Sequence, residues 1–245
     1  MLYYCLEEKK CARKHRFSRI EFPLAEFPMG KENILTCCFV PEYERRKQLW
    51  EEDILTEKMN TVWTQGLWQT YYLHPRLAAM SGIRENAVPE MLLEMLFDKI
   101  PCWEYLYCIG SDSRHNDVDV DILRCRLGRY LPRINHFTLI GEETEEWRAF
   151  GEYIYEEYGI PAAYMRQMEG RGAKSGRTVV LDARKDYRVP YSAIPEGAFY
   201  VDLWSVEEKR VQMAKMRRDV RYVSVVKFLD TIVKNGYNTI VNQTH

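Results

Sequence analysis

Gly110-Ser111 is followed by Asp117, Asp119 and Asp121, carboxylates at alternate positions. On a strand, alternate residues share one face. Asp119 and Asp121 would then stand side by side, oxygen ligands of the kind a divalent cation takes. The same residues also read as a helix start, with Asn116 or Asp117 as the cap and acids in the first turn, where the helix N-terminus favours them. Val120, Leu123, Leu127, Leu131 and Ile134 keep the helical period, whereas Val118, Val120 and Ile122 keep the period of a strand. The helical pattern is the longer of the two. A strand over 117–123 supports metal chemistry, and a helix removes it.

A Gly-Ser turn ahead of two carboxylates one residue apart resembles the signature of nucleotidyltransferases of the polymerase-β superfamily. The resemblance is confined to Gly110-Ser111 and Asp117, Asp119 and Asp121. It implies a metal-dependent enzyme using Asp119 and Asp121. Only Asp112 to Val118 separate Ser111 from Asp119, where that family fits a helical turn, and no third carboxylate is assigned.

The other candidates come from a general property of open parallel sheets. Ligands bind beyond the carboxyl ends of the strands, where the strand order reverses. Four such ends are legible: Gly110-Ser111-Asp112-Ser113, Gly141-Glu142-Glu143-Thr144, Asp182-Ala183-Arg184 and Asp202-Leu203-Trp204. From them, Gly110, Ser111, Asp112, Glu142, Thr144, Asp182, Arg184 and Asp202 are the candidate ligand-binding residues. Their acidity predicts a ligand that is neutral, cationic or metal-bridged. No catalytic residue is assigned.

No cofactor is expected. The fingerprint G-x-G-x-x-G follows none of the strands, and Glu142, Glu143, Glu145 and Glu146 would face a pyrophosphate with negative charge. Ala198–Asp202 resembles the strand that often ends a dehydrogenase cofactor domain, but without a phosphate loop. The glycine-rich run Gly170–Gly176 contains Lys174-Ser175 but leads into a strand, so a Walker-type phosphate cradle does not form. A flexible hairpin is its simplest reading, with Arg166, Arg171, Lys174 and Arg177 as a possible anion site or lid. His115 and His136 are isolated, and neither His-x-x-x-His nor Cys-x-x-Cys occurs.

Composition narrows the class. The 35 basic and 36 acidic residues nearly cancel, which argues against a dedicated nucleic-acid binder. Seven cysteines without paired spacing suit buried thiols in a reducing cytoplasm. No run is long and apolar enough for a membrane span, and the N-terminus lacks signal-peptide features. A soluble cytoplasmic protein is expected.

These residues need elements to position them. Tyr105–Ile109, the segment Asp117–Ile134 and Phe137–Ile140 form a strand–helix–strand pattern, the signature of a parallel βαβ unit. A helix over 142–158 capped by Gly159, strands at 160–165, 178–182 and 198–202, and a helix capped by Ser205 continue it. That helix is expected to run through Val211, Met213 and Met216. Tyr222–Val226 is a sixth strand or the start of a last helix over 228–237. Before residue 100, strands are expected at 1–8 and 34–40, helices over 42–60 and from Pro89, and extended irregular chain around Pro23, Pro28 and Gly30. The aromatic run Trp63–Leu73 is either helix-covered core or a partner face. The predicted fold is therefore α/β: a Rossmann-like three-layer parallel sheet over 101–245 and a smaller α+β region over 1–100. The expected function is binding of a small molecule or protein partner. The alternatives are the nucleotidyltransferase, and a structural or regulatory protein that docks through 63–72.

Overall fold

The computed structural model describes residues 1–7, 22, 24–29, 33–41, 48–66, 68, 70–81, 88–110, 120–168, 176–185 and 191–243. Their contacts separate the chain into Met1–Pro89 with Leu229–His245, and Glu90–Phe228. The sequence reading instead drew a boundary near residue 100 and assigned the last helix to the second region.

In the first unit, β1 (Leu2–Glu7), β2 (Leu24–Met29), β3 (Asn33–Pro41) and β4 (Tyr71–Leu73) form one sheet in the order β2-β3-β1-β4. β1 runs parallel to both β3 and β4, and β2 pairs antiparallel with β3. The expectation of irregular chain near Pro28 is corrected here. β2 is an edge strand among the described residues, and an edge tolerates a residue without an N–H on its unpaired side. α1 (Gln48–Gln65) ends later than residue 60, and α2 (Pro75–Ser81) follows β4. Leu55 and Met59 of α1 and Leu77 of α2 pack on Leu2, Tyr4 and Cys38. Tyr3 donates to Asp230 Oδ1 at 3.4 Å, a bond within this unit.

The second unit holds an all-parallel six-stranded sheet flanked by helices. Its strands are β5 (Tyr105–Ile109), β6 (His136–Ile140), β7 (Ala162–Met165), β8 (Thr178–Asp182), β9 (Phe199–Asp202) and β10 (Arg221–Ser224). Across the sheet they lie in the order β10-β9-β8-β5-β6-β7. The chain starts in the middle, moves outward through β6 and β7, returns to β8 beside β5, and moves outward on the other side. That is the doubly wound order consistent with a Rossmann-like fold, with its reversal between β5 and β8. Val179, Val180 and Leu181 are fully buried, as continuous apolar strands of a covered parallel sheet should be. Each such side chain contributes about 1.5–3 kcal/mol by leaving water.

The helices of this unit are α3 (Glu90–Phe97), α4 (Val120–Leu127), α5 (Glu145–Tyr158) and α6 (Glu207–Met216), and α7 (Val225–Gln243) starts in it and belongs to the first unit from Leu229 onward. α4 is shorter than the predicted helix. Beyond it Leu131–Arg133 form a 3-10 turn, because Pro132 has no N–H to continue an α-helix. The Arg126 guanidinium pairs with Glu94 at 2.8 Å, tying α4 to α3. β10 exists as a separate strand and passes directly into α7, which starts earlier and runs further than expected. No helix among the described residues is long and apolar enough to cross a membrane.

Candidate functional site

One row of residues crosses the carboxyl edge of the six-stranded sheet. Register pairs Ser224 with Asp202, Asp202 with Asp182, Asp182 with Ile109, Ile109 with Ile140, and Ile140 with Met165. The row is polar on the β8–β10 half and apolar on the β5–β7 half. The strand reversal lies where the two meet, and Ala183 N–H donates to Ile109 O at 3.0 Å there.

On the polar half, Asp182 and Asp202 are both fully buried. Each carboxylate is met by a tyrosine from the next strand outward. Tyr200 of β9 donates to Asp182 Oδ2, and Tyr222 of β10 donates to Asp202 Oδ2 at 2.6 Å. The repetition follows from strand geometry. Tyr200 and Tyr222 are register partners two residues before the Asp202–Ser224 row, so they share its face. Their rings stack with centroids 6.0 Å apart.

The compensating cation is Lys209, also fully buried, in the first turn and a half of α6. Its Nζ lies 3.0 Å from Asp182 Oδ2 and 3.6 Å from Asp202 Oδ1, and it donates to Arg184 O. A buried charge is costly unless paired, and here two carboxylates and a backbone carbonyl surround it. Arg184 Nε adds a second cation 3.3 Å from Asp182 Oδ1. Asp202 further accepts the N–H groups of Trp204 at 3.1 Å and Val206 at 2.7 Å. Burial raises the Asp202 carboxyl above its ordinary range, and the Lys209 charge pulls it part of the way back. Burial and the neighbouring carboxylates push the Tyr200 and Tyr222 hydroxyls upward, so both stay protonated donors.

The start of α6 corrects the sequence reading. Val206 is the N-cap residue, and Ser205 takes a left-handed φ of 55° with its Oγ accepting Val226 N–H. Asp202 Oδ2 serves the helix start instead, by accepting the Val206 N–H. The helix itself runs through Val211, Met213 and Met216 as expected; Val211 and Met216 are exposed, and the buried residues of α6 are Lys209 and Met213. They stand four residues apart on one helix face. Sequence reasoning missed Lys209, which sits among charged residues at a helix start. The available signal was that two strand-terminal aspartates need a cation, and the face defined by Met213 supplies one.

The apolar half is closed by packing. Thr144 caps α5, its Oγ1 accepting Trp147 N–H at 3.3 Å, so this candidate ligand residue is engaged by the helix. The cap sets the Trp147 indole over Gly110, where an added Cβ would lie 2.7 Å from Trp147 Nε1. Gly141 has φ +125°, and its Cβ position is 3.2 Å from Gly110 O. What remains between Gly110, Gly141, Glu142 and Trp147 is a cleft of about 10 Å³, room for roughly one water. Glu142 is exposed at its rim, and Glu143 pairs with Arg148 at 2.9 Å.

The structure therefore brings Asp182, Arg184 and Asp202 into one cluster, with Gly110 beside the reversal and Glu142 and Thr144 on the other half. Ser111, Asp112, Asp117 and Asp119 lie outside the described residues, as do Gly170–Ser175. Val120–Leu127 is helical, so the strand that the nucleotidyltransferase reading needs is not formed at Val120–Ile122. No group of three or more His, Cys, Asp or Glu side chains converges among the described residues. In the aromatic run, Tyr72 and Leu73 are buried, and Trp63, Trp68 and Tyr71 pack half-buried against the core of the first unit. Compared with family models, curated proteins and solved structures, the chain matches none.

Proposed function

We propose that the six-stranded unit binds a small molecule at the carboxyl edge of its sheet, at the reversal between β5 and β8. The supporting observation is the strand order itself, which brings the end of β5 at Gly110 beside Ala183-Arg184. Adjacent strands at a reversal send their following chain to opposite sides of the sheet and leave a crevice between them. The buried ions bear on what that crevice would select. Asp182 and Asp202 face Lys209 and Arg184, two charges of each sign, so the carboxylates are not free to attract a cation. This removes half of the argument for a neutral or cationic ligand, which assumed that all the strand-end acids face solvent.

A thermal-shift screen of the full chain against nucleotides, NAD(P)H, S-adenosylmethionine and small organic acids, each with and without Mg²⁺, tests the reading. A ligand at about a hundred times its dissociation constant adds roughly 2.7 kcal/mol, a shift of several degrees. A saturable shift that a bulky Ala183→Trp substitution abolishes supports it. Failure of every compound to move the transition counts against it, as does a shift indifferent to that substitution.

A further inference from the structure

Arg184 is the one side chain of the cluster with binding capacity to spare. Its guanidinium is anchored on one edge only, by Nε to Asp182 Oδ1 at 3.3 Å. Its backbone N–H bonds the same oxygen at 3.0 Å. Nη2 is buried and has no hydrogen-bond partner among the described residues. A buried N–H without an acceptor costs about 1–3 kcal/mol. Donors left in that condition at a crevice mark a place where an acceptor from outside fits.

The geometry around Arg184 fixes where its terminal edge lies. Asp182 is itself held by Lys209 and Tyr200, so the anchor of the guanidinium does not move. Lys209 also grips the Arg184 carbonyl, and Trp204 Nε1–H donates to Ala183 O at 3.0 Å. The backbone at Ala183-Arg184 is thus pinned from both sides. The next residue adds positive charge, with the Lys185 ammonium 4.0 Å from the Trp204 ring centroid.

We infer that Arg184 recognises an oxyanion, a carboxylate or phosphate on the ligand, through the Nη1–Nη2 edge of its guanidinium. This rests on the binding reading above and names the ligand class for it. Arginine suits the task because two parallel N–H donors match two oxygens of one anion. The inference replaces the expected neutral or cationic ligand on this half of the edge with an anionic one.

The test titrates the full-length protein with sodium acetate and with sodium phosphate, each against sodium chloride at matched ionic strength. Melting temperature and the ¹⁵N-resolved Arg Nε–H resonances are followed together. The expected result is a saturable response to at least one oxyanion over chloride, with Arg184 Nε–H moving along it. Arg184→Gln should weaken the response by about tenfold or more, as loss of a charge-assisted pair does, and Lys185→Gln should weaken it less. The fold should survive Arg184→Gln, since Asp182 keeps Lys209 and Tyr200. Should it not, the resonance shift in the unsubstituted protein decides alone. A response to acetate alone assigns a carboxylate, and one to phosphate alone a phosphate. Equal behaviour of both with chloride overturns the inference, as does a response that Arg184→Gln leaves intact. A neutral compound from the ligand screen that protects Ala183–Lys185 from hydrogen exchange would sink the anion assignment while leaving the site in place.

Discussion

The two halves of the carboxyl edge are closed by different forces. Between β5 and β6, glycines let the strand ends approach, and Trp147 fills the remaining space. Between β8 and β9, two buried aspartates face each other in register and are held by Lys209, Arg184 and two tyrosines. Packing alone leaves no donor or acceptor waiting. An ionic cluster does, because satisfying two carboxylates by geometry need not use every N–H of the cations. The proposed binding reading therefore rests on the polar half, with the apolar half as its support.

The largest expected effect separates the halves directly. Lys209→Met leaves two buried carboxylates without their shared cation, and urea unfolding should show a loss of about 3–5 kcal/mol. Replacing Asp202 by Asn in the same chain should recover more than half of that loss, since the stranded charge is the damage and Asp182 keeps Arg184. Failure of this charge-balanced double variant to recover would mean that the cluster holds the fold by something other than charge balance.

On the packed half the corresponding test is steric. Gly110→Ala drives a methyl group against the Trp147 indole and should cost about 1–3 kcal/mol. In a Trp147→Leu background the same substitution should cost less than half as much, read as non-additivity in unfolding free energies. Additive costs would show that Trp147 is not what fills the space over Gly110.

Proton linkage sharpens the contrast further. The folded protein holds Asp202 at a raised pKa, so its linked contribution to stability is complete below the unfolded value of about 3.9 and is lost as pH rises through the folded value. The stability difference between the native chain and Asp202→Asn should therefore shrink with rising pH just above that point. Asp219, exposed and bonded to Arg217 at 2.7 Å, behaves in the opposite sense. Its carboxyl is lowered to about 2 by the Arg217 hydrogen bond, so its contribution is present above the unfolded value and is lost as pH falls towards 2. Asp219→Asn should cost under about 1 kcal/mol at neutral pH, the smallest effect of the set.

Much of the parallel sheet could be read from short apolar runs ending in Gly or Asp. β5, β6, β8 and β9 fall within a residue of their expected places. Periodicity reports burial of apolar residues and says nothing of a buried charge, so the buried face of α6 was not legible: Val211 and Met216 are exposed and Lys209 is enclosed. The same limit applies to Ser205. It has the composition of a cap, but the turn holding Asp202 against Val206 requires it in a left-handed conformation. Asp182, Arg184 and Asp202 were legible as strand ends. Their convergence was not, because pairing between strands 20 residues apart in sequence is set by the order of the whole sheet.

The central claim is that the reversal between β5 and β8 is the binding edge. The most direct measurement is hydrogen–deuterium exchange of the full chain, with and without the compound that gives the largest saturable thermal shift. Protection should concentrate at Ile109-Gly110 and Ala183–Lys185. Protection confined to Met1–Pro89, or to the β6–α5 turn beneath Trp147, would contradict the account.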